Sequence, residues 1–326
     1  MPGSIGDSSR PSLEAIEYEK GHPLNSYLPA PAGRSSWTAR IDGFLIRKGA
    51  DGIWLLRACT IHARNSHNKS RLGRNHVTET VLETTGLTKT FHSFKAVSDV
   101  NLRIESGSIH ALIGPNGAGK TTCFNLLTKF LQPTSGTIRF KGEDITRLRP
   151  AAIARRGMAR SFQISAVFGH MTALENVRIA LQRARGGNFD FWRSDAVLRR
   201  FNDRARELLF DVGLTDDLET TAAALSYGRK RALEIATTLA LDPELLLLDE
   251  PTAGMAETDV ARIVALIKTL RAGRTILMVE HNLSVVSGLS DRITVLTRGK
   301  ILAEGNYDTV SKHPDVITAY LGTDHA

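Results

Sequence analysis

The apolar positions of this chain fall into two regimes that divide near residue 76. Before it, apolar residues are scattered among Pro2, Pro11, Pro23, Pro29, Pro31 and clusters of Ser and Gly, and no period of two or 3.6 residues is sustained. Only 41–56 holds enough of them to suggest a hairpin, turning at the GADG of 49–52. One weak hairpin cannot bury a core, so residues 1–76 are expected to form a low-structure, disordered leader. From Val77 the periods sharpen. Residues 80–85, 100–104, 109–113 and 136–140 read as short strands, and 158–163 as a strand running into a loop. The runs LLLL at 245–248 and TILMV at 275–279 lack polar alternation, the pattern of parallel strands buried on both faces. Helical spacing appears over 121–130, 149–156 with Pro150 in the first turn, 172–185 opened by a TALE capping box, 195–212 and 229–241. The prediction is an α/β body with a β-rich start and a helical insert over about 170–242.

One stretch carries specific chemistry. GPNGAGKTT at 114–122 lies between the strand of 109–113 and the helix of 121–130, which is the context a phosphate-binding loop requires. A loop that turns its backbone N–H groups toward phosphate needs unusual dihedrals, which Gly114, Gly117 and Gly119 supply, with Pro115, Asn116 and Ala118 between them. Lys120 then places a charge on the terminal phosphates, Thr121 offers a hydroxyl to Mg²⁺, and Thr122 continues into a helix whose N-terminus favours anions. The expected ligand is ATP or GTP.

Two strand ends add to this. Asp249 and Glu250 follow the buried run of 245–248, where Asp249 can hold Mg²⁺ through water and Glu250 can polarise an attacking water. Glu280 and His281 follow the run of 275–279, so His281 is expected to reach the γ-phosphate. Phe91, read as part of the first loop, could stack on a purine. Ser226 and Gly228, taken alone, read as a helix cap.

Charge and composition change the picture little. The formal charge of +8 would suit nucleic acid, but it is unevenly spread: residues 1–76 hold 11 basic and 6 acidic side chains, the remainder 31 and 28. Nucleic acid is therefore not the expected partner of the body. The leader reads either as a basic arm for anionic lipid or nucleic acid, or as no part of the native protein, translation beginning near Val77; the second reading is preferred. Of the two cysteines, Cys59 and Cys123, the latter is expected to be a buried, inert thiol in a reducing compartment. No apolar run approaches the roughly 18 residues that span a bilayer, and residues 1–10 carry no secretory pattern.

Together these residues resemble the ATP-binding subunit of ABC transporters. The resemblance runs from about residue 80 to the C-terminus and carries the family motifs in order: Phe91, 114–122, Gln163, LSYG at 225–228, 245–250 and His281. Within the family the chain looks most like subunits of branched-chain amino acid importers, on FNLLT at 124–128, PTSG at 133–136, ARSFQ at 159–163, Tyr227 in the signature, DEPTAGM at 249–255 and PDVITAYLG at 314–322. The resemblance implies a P-loop ABC ATPase cassette over 77–326 with an antiparallel β subdomain and the helical insert. It implies Glu250, His281 and Gln163 as catalytic groups, and Thr121, Gln163 and Asp249 on the metal side. It further implies a head-to-tail dimer with a sister or identical ATPase, Ser226 and Gly228 facing the partner's nucleotide. Two membrane permease subunits, an external solute-binding protein and a site at the cytoplasmic face of the inner membrane complete the expectation. Two positions depart from the family pattern: Arg229-Lys-Arg231, read as a solvated face where glutamine is usual, and Ala256, where Asn or Asp is usual. Rival readings are a lipid- or lipopolysaccharide-export ATPase, which usually carries Gly-Gly in the signature, and a soluble ABC ATPase acting on nucleic acid or the ribosome, which usually carries a coiled coil or tandem cassettes.

Overall fold

A computed structural model describes residues 79–161, 167–184 and 199–321, together with three strands of the N-terminal segment. The chain divides into two compact units, Met1–Gly73 and Arg74–Ala326. In the first, β1 (Thr38–Ile41), β2 (Phe44–Lys48) and β3 (Trp54–Ala58) pair as an antiparallel meander. The hairpin expected over 41–56 is thus present as β2 and β3, with one strand more; the rest of the leader, Cys59 included, lies outside the described residues.

The second unit is built on two sheets. An antiparallel sheet contains β4 (Thr80–Phe91), β5 (Phe94–Val100), β6 (Arg103–Glu105), β8 (Ser135–Phe140) and β9 (Glu143–Asp144), in the order β5-β4-β8-β9 with β6 also on β4. The other contains β7 (Ile109–Ile113), β10 (Met158–Ser161), β11 (Leu245–Asp249), β12 (Thr275–Val279), β13 (Arg292–Thr297) and β14 (Lys300–Gly305). Its order is β10-β11-β12-β7-β13-β14, all parallel except β14.

Because side chains alternate across a strand, this sheet feeds two separate cores. Ile109, Ala111, Ile113, Leu246, Leu248, Ile276 and Met278 enter one, with the helices. Those helices are α3 (Ala173–Ala184), α4 (Asn202–Asp211), α5 (Tyr227–Leu239), α6 (Glu257–Leu270) and α7 (Leu283–Leu289), with the C-terminal α8 (Tyr307–Ser311) and α9 (Pro314–Leu321). Leu112, Leu245, Leu247, Leu277 and Val279 enter the other core, with the antiparallel sheet, α1 (Lys120–Leu127) and α2 (Pro150–Arg155). β7, β11 and β12 are buried at every position, which is why the runs of 245–248 and 276–279 lack polar alternation, while β7 carries one polar residue, His110.

Several expectations need correction. The strand expected over 100–104 is interrupted: Asn101 and Leu102 lie between β5 and β6. There the Leu102 N–H donates to the Thr84 hydroxyl at 2.9 Å and the Gly86 N–H to Asn101 Oδ1 at 2.7 Å, so side chains share the pairing with the bond from the Thr84 N–H to the Leu102 carbonyl at 2.8 Å. Phe91 is not in a loop but ends β4, paired with Phe94 across a two-residue turn at His92 (φ 53°) and Ser93. The helix expected from 195 is described from Asn202, residues 185–198 lying outside the description. The capping box is as read: Glu175 N–H donates to Thr172 Oγ1 at 3.2 Å and Thr172 N–H to Glu175 Oε2 at 2.8 Å. Cys123 is fully buried, which pushes its thiol up to about 12. Among the described residues no helix is long and apolar enough to cross a membrane.

Candidate nucleotide site

Parallel pairing sets the site. Asp249 is in register with Val279, and Val279 with Leu112, so the chain leaves β11, β12 and β7 on one edge of the sheet. At that edge of an α/β sheet ligands bind. The loop of 114–122 leaves β7 and opens α1 at Lys120. Gly114 has φ 149°, and a Cβ there would come within 2.1 Å of the Leu296 carbonyl oxygen on β13. Gly119, at φ 102°, would put a Cβ 2.5 Å from the Ala96 carbonyl oxygen. Only glycine fits at either place. At Gly117 (φ 77°) the space is open and only the dihedral demands glycine. Asn116 and Gly117 are exposed, Ala118 is buried and accepts from Gly299 N–H at 2.9 Å, and Thr121 is exposed at the mouth.

Lys120 is buried and donates to the carbonyl oxygens of Gly114 (2.5 Å) and Pro115 (3.0 Å), curling over the loop it follows. Burial holds its ammonium below the ordinary lysine range, and the Glu250 carboxylate draws it partly back. Glu250 adopts φ 46°, a left-handed conformation costing a non-glycine residue about 1–2 kcal/mol. Its N–H donates to the Val279 carbonyl at 3.0 Å, so the strained residue is fixed to the neighbouring strand. Its Oε2 lies 3.6 Å from His281 Nε2. Lys120 and His281 are thus both brought beside Glu250.

Three further side chains shape the site, and the sequence assigned none of them a part in it. Arg160 of β10, nearly buried, donates to Asp249 Oδ2 at 2.5 Å and to Asn125 Oδ1 of α1 at 2.6 Å. Arg231 corrects the solvated face expected for 229–231: it is 5% exposed, pairs with buried Glu234 at 2.7 Å and donates to the Asp249 carbonyl at 2.5 Å. Its signal was available, since it lies four and eight residues before the buried Ile235 and Leu239, on the apolar face of α5. Arg229 pairs with Asp217, and Lys230 is half-buried. Glu280, 1% exposed, accepts from Thr252 N–H (3.0 Å) and Oγ1 (2.7 Å) and from the His281 and Asn282 N–H groups, tying together the loops that follow β11 and β12.

Ser226 is the N-cap residue of α5 but makes no side-chain capping bond, so the plain cap reading does not account for its hydroxyl. Gly228 is buried against Asp259 of α6, whose carboxyl carbon would lie 2.6 Å from an added Cβ. Phe91 is 41% exposed, with Lys89 Nζ 5.2 Å from its ring centroid. Gln163 lies outside the described residues. Among the described residues no cluster of three or more His, Cys, Asp or Glu side chains forms a metal cage. One hydroxyl and one acid, such as Thr121 and Asp249 would offer, fit Mg²⁺ where phosphates and water supply the rest of its shell.

Comparison with known proteins agrees with this geometry. A family model described as "ABC transporter" matches residues 97–253, and one described as "Branched-chain amino acid ATP-binding cassette transporter" matches 300–326. The chain is 42% identical over 252 residues to the high-affinity branched-chain amino acid transport ATP-binding protein BraF of Pseudomonas aeruginosa, covering 74% of this chain and 98% of that protein. It is 40% identical over 253 residues to LivG of Escherichia coli K12, another high-affinity branched-chain amino acid transport ATP-binding protein, covering 76% and 99%. The structure is similar to the ADP conformation of MJ1267, an ATP-binding cassette of an ABC transporter, with TM-score 0.67, 30% identity, and 75% and 100% coverage. It is also similar to the dimeric, ADP- and Pi-bound cassette MJ0796, with TM-score 0.59, 26% identity, and 69% and 98% coverage. This chain belongs to the ABC transporter ATP-binding family, in its branched-chain amino acid branch.

Proposed function

We propose that this ATPase energises an importer of branched-chain or related amino acids, from the cytoplasmic face of the inner membrane, bound to two permease subunits that an external solute-binding protein loads. The observation that carries the hydrolytic reading is the convergence of Lys120, Glu250 and His281 on the edge where the phosphate loop leaves β7. The solute class is supported by 40–42% identity to BraF and LivG along nearly their whole lengths. The cassette occupies 77–326 with its helical subdomain near 170–242.

In this reading the N–H groups of 114–122 and Lys120 hold the β- and γ-phosphates of ATP, and Phe91 stacks on the adenine. Thr121, Asp249 and Gln163 would hold Mg²⁺, which when bound would supply positive charge to the phosphate oxygens. Glu250 orients the attacking water in line with the γ-phosphate, and His281 donates to that phosphate. The bond from its N–H to the Val279 carbonyl holds the backbone of Glu250 at the end of the neighbouring strand. Ser226 and Gly228, opening α5, meet the nucleotide of a second ATPase in a head-to-tail dimer, where the helix N-terminus favours the anionic phosphate.

Glu250→Gln retains the shape of the site and removes the base. It is expected to lower ATP turnover at least about 100-fold while ATP binding survives, trapping an ATP-bound dimer visible by size exclusion. Normal hydrolysis by this variant would overturn the role. Purification of the natively expressed protein from detergent-solubilised membranes should bring two polytopic permeases and a sister ATPase, with ATP-dependent leucine uptake lost in a deletion strain. Recovery with ribosomes or nucleic acid would overturn the transport reading.

A further inference from the structure

We infer that Arg160 is a positioning residue for the metal-side carboxylate, binding Asp249 to the phosphate-loop helix through one buried guanidinium. The inference rests on the reading of Asp249 as the metal-side group. Arg160 and Asp249 side chains are 7% and 5% exposed, so the pair is out of solvent. One terminal nitrogen, Nη2, takes Asp249 Oδ2 at 2.5 Å; the other, Nη1, takes Asn125 Oδ1 at 2.6 Å and Thr128 Oγ1 at 3.4 Å. The guanidinium carbon lies 5.6 Å from the centroid of the Phe124 ring. Asn125, Thr128 and Phe124 all belong to α1 or its C-cap, the helix that begins at Lys120 and presents Thr121.

This arrangement does what a point charge could not. A planar fork with fixed donor directions spans two acceptors on different elements. One oxygen of Asp249 is occupied by Arg160, which sets the carboxylate plane and directs what the acid can offer to a metal-bound water. Arg160 sits on β10, paired in parallel register with Leu247, and that strand leads directly toward Gln163. A shift of β10 therefore reaches Asp249 both along the ladder to β11 and through the Arg160 side chain. Arg231 holds the carbonyl of the same residue from α5, so Asp249 is gripped from two sides by groups on two different elements.

The test compares the full-length parent with Arg160→Lys and Asn125→Ala. Lysine keeps the charge but cannot span both acceptors; the Asn125 change leaves the ion pair and removes its anchor on α1. Binding of a fluorescent ATP analogue is titrated with a chelator and with Mg²⁺, and hydrolysis is titrated with Mg²⁺. Arg160→Lys is expected to keep chelator-state affinity within about twofold and to raise the Mg²⁺ needed for half-maximal hydrolysis about tenfold, as loss of a ligand-orienting partner does. For Asn125→Ala the rise is about threefold. An unchanged Mg²⁺ requirement in both variants overturns the inference. So does an equal loss of affinity with and without metal, which is what a merely structural arginine would give. A parent indifferent to Mg²⁺ would instead remove the reading of Asp249, and the inference with it.

Discussion

At the scale of single residues, the site is built where ordinary side chains do not fit or cannot stay unpaired. Gly114 and Gly117 separate these demands. An alanine at 114 would drive its Cβ to 2.1 Å from a backbone oxygen, whereas at 117 nothing lies within 4 Å and only the positive φ resists. Gly117→Ala is expected to cost about 1 kcal/mol of folding stability and Gly114→Ala at least about 3, with loss of ATP binding in the latter, read by urea denaturation and nucleotide titration. Equal costs would mean that the loop does not lean on β13 as described. The Arg231–Glu234 pair tests burial instead. Arg231→Met strands a buried carboxylate and should cost about 3–5 kcal/mol, whereas Arg231→Met with Glu234→Leu should recover most of it. A double variant no better than the single one would show that the bond from Arg231 to the Asp249 carbonyl, not the ion pair, carries the stability.

At the scale of elements, caps and strand ends decide where chemistry is placed. Helix α6 starts from Ala256, which has extended dihedrals (φ −68°, ψ 153°) suited to a capping side chain and offers none. Ala256→Asp should raise the denaturation midpoint by the equivalent of about 1 kcal/mol, and Thr172→Ala, which breaks the capping box of α3, should lower it by a similar amount. An unmoved midpoint for Ala256→Asp would mean that the first N–H groups of α6 are already satisfied. These local signals explain what could be read from sequence. The buried strands β11 and β12, the glycine loop and the capping box each carry their information within ten residues. What could not be read depends on distant partners. The break at Asn101 and Leu102 needs Thr84 and Gly86, some 15–18 residues away. The strand character of Phe91 needs its pairing with Phe94. Arg160 looks like any charged residue of a short strand until Asp249, 89 positions later, is placed beside it.

At the scale of the whole molecule, the sheet that aligns the ends of β7, β11 and β12 also buries a titratable group within a strand. His110 of β7 is fully buried, its Nε2 2.8 Å from Thr294 Oγ1 on β13, and that hydroxyl donates to Glu304 on β14 at 2.9 Å. Since the Thr294 proton goes to Glu304, the imidazole donates to Thr294 from Nε2. Burial, with the charge of Arg292 adding to it, pushes His110 from the usual 6.5 down to about 3. The folded chain therefore keeps this imidazole neutral while the unfolded chain protonates it near pH 6.5. Above that pH the two states bind the same number of protons here and stability is flat. Below it the unfolded state binds one more, so stability falls by about 1.4 kcal/mol per pH unit until the folded value is reached. Carboxylates elsewhere also titrate in this window, so the group must be isolated by difference. His110→Gln preserves an N–H donor toward Thr294 and cannot be protonated. Between pH 7 and pH 5 the parent should lose about 2 kcal/mol more than this variant in urea denaturation. Parallel curves for the two would mean that the sheet opens enough to solvate the imidazole, and the cleft side of β7 would then be less rigid than the phosphate loop it carries.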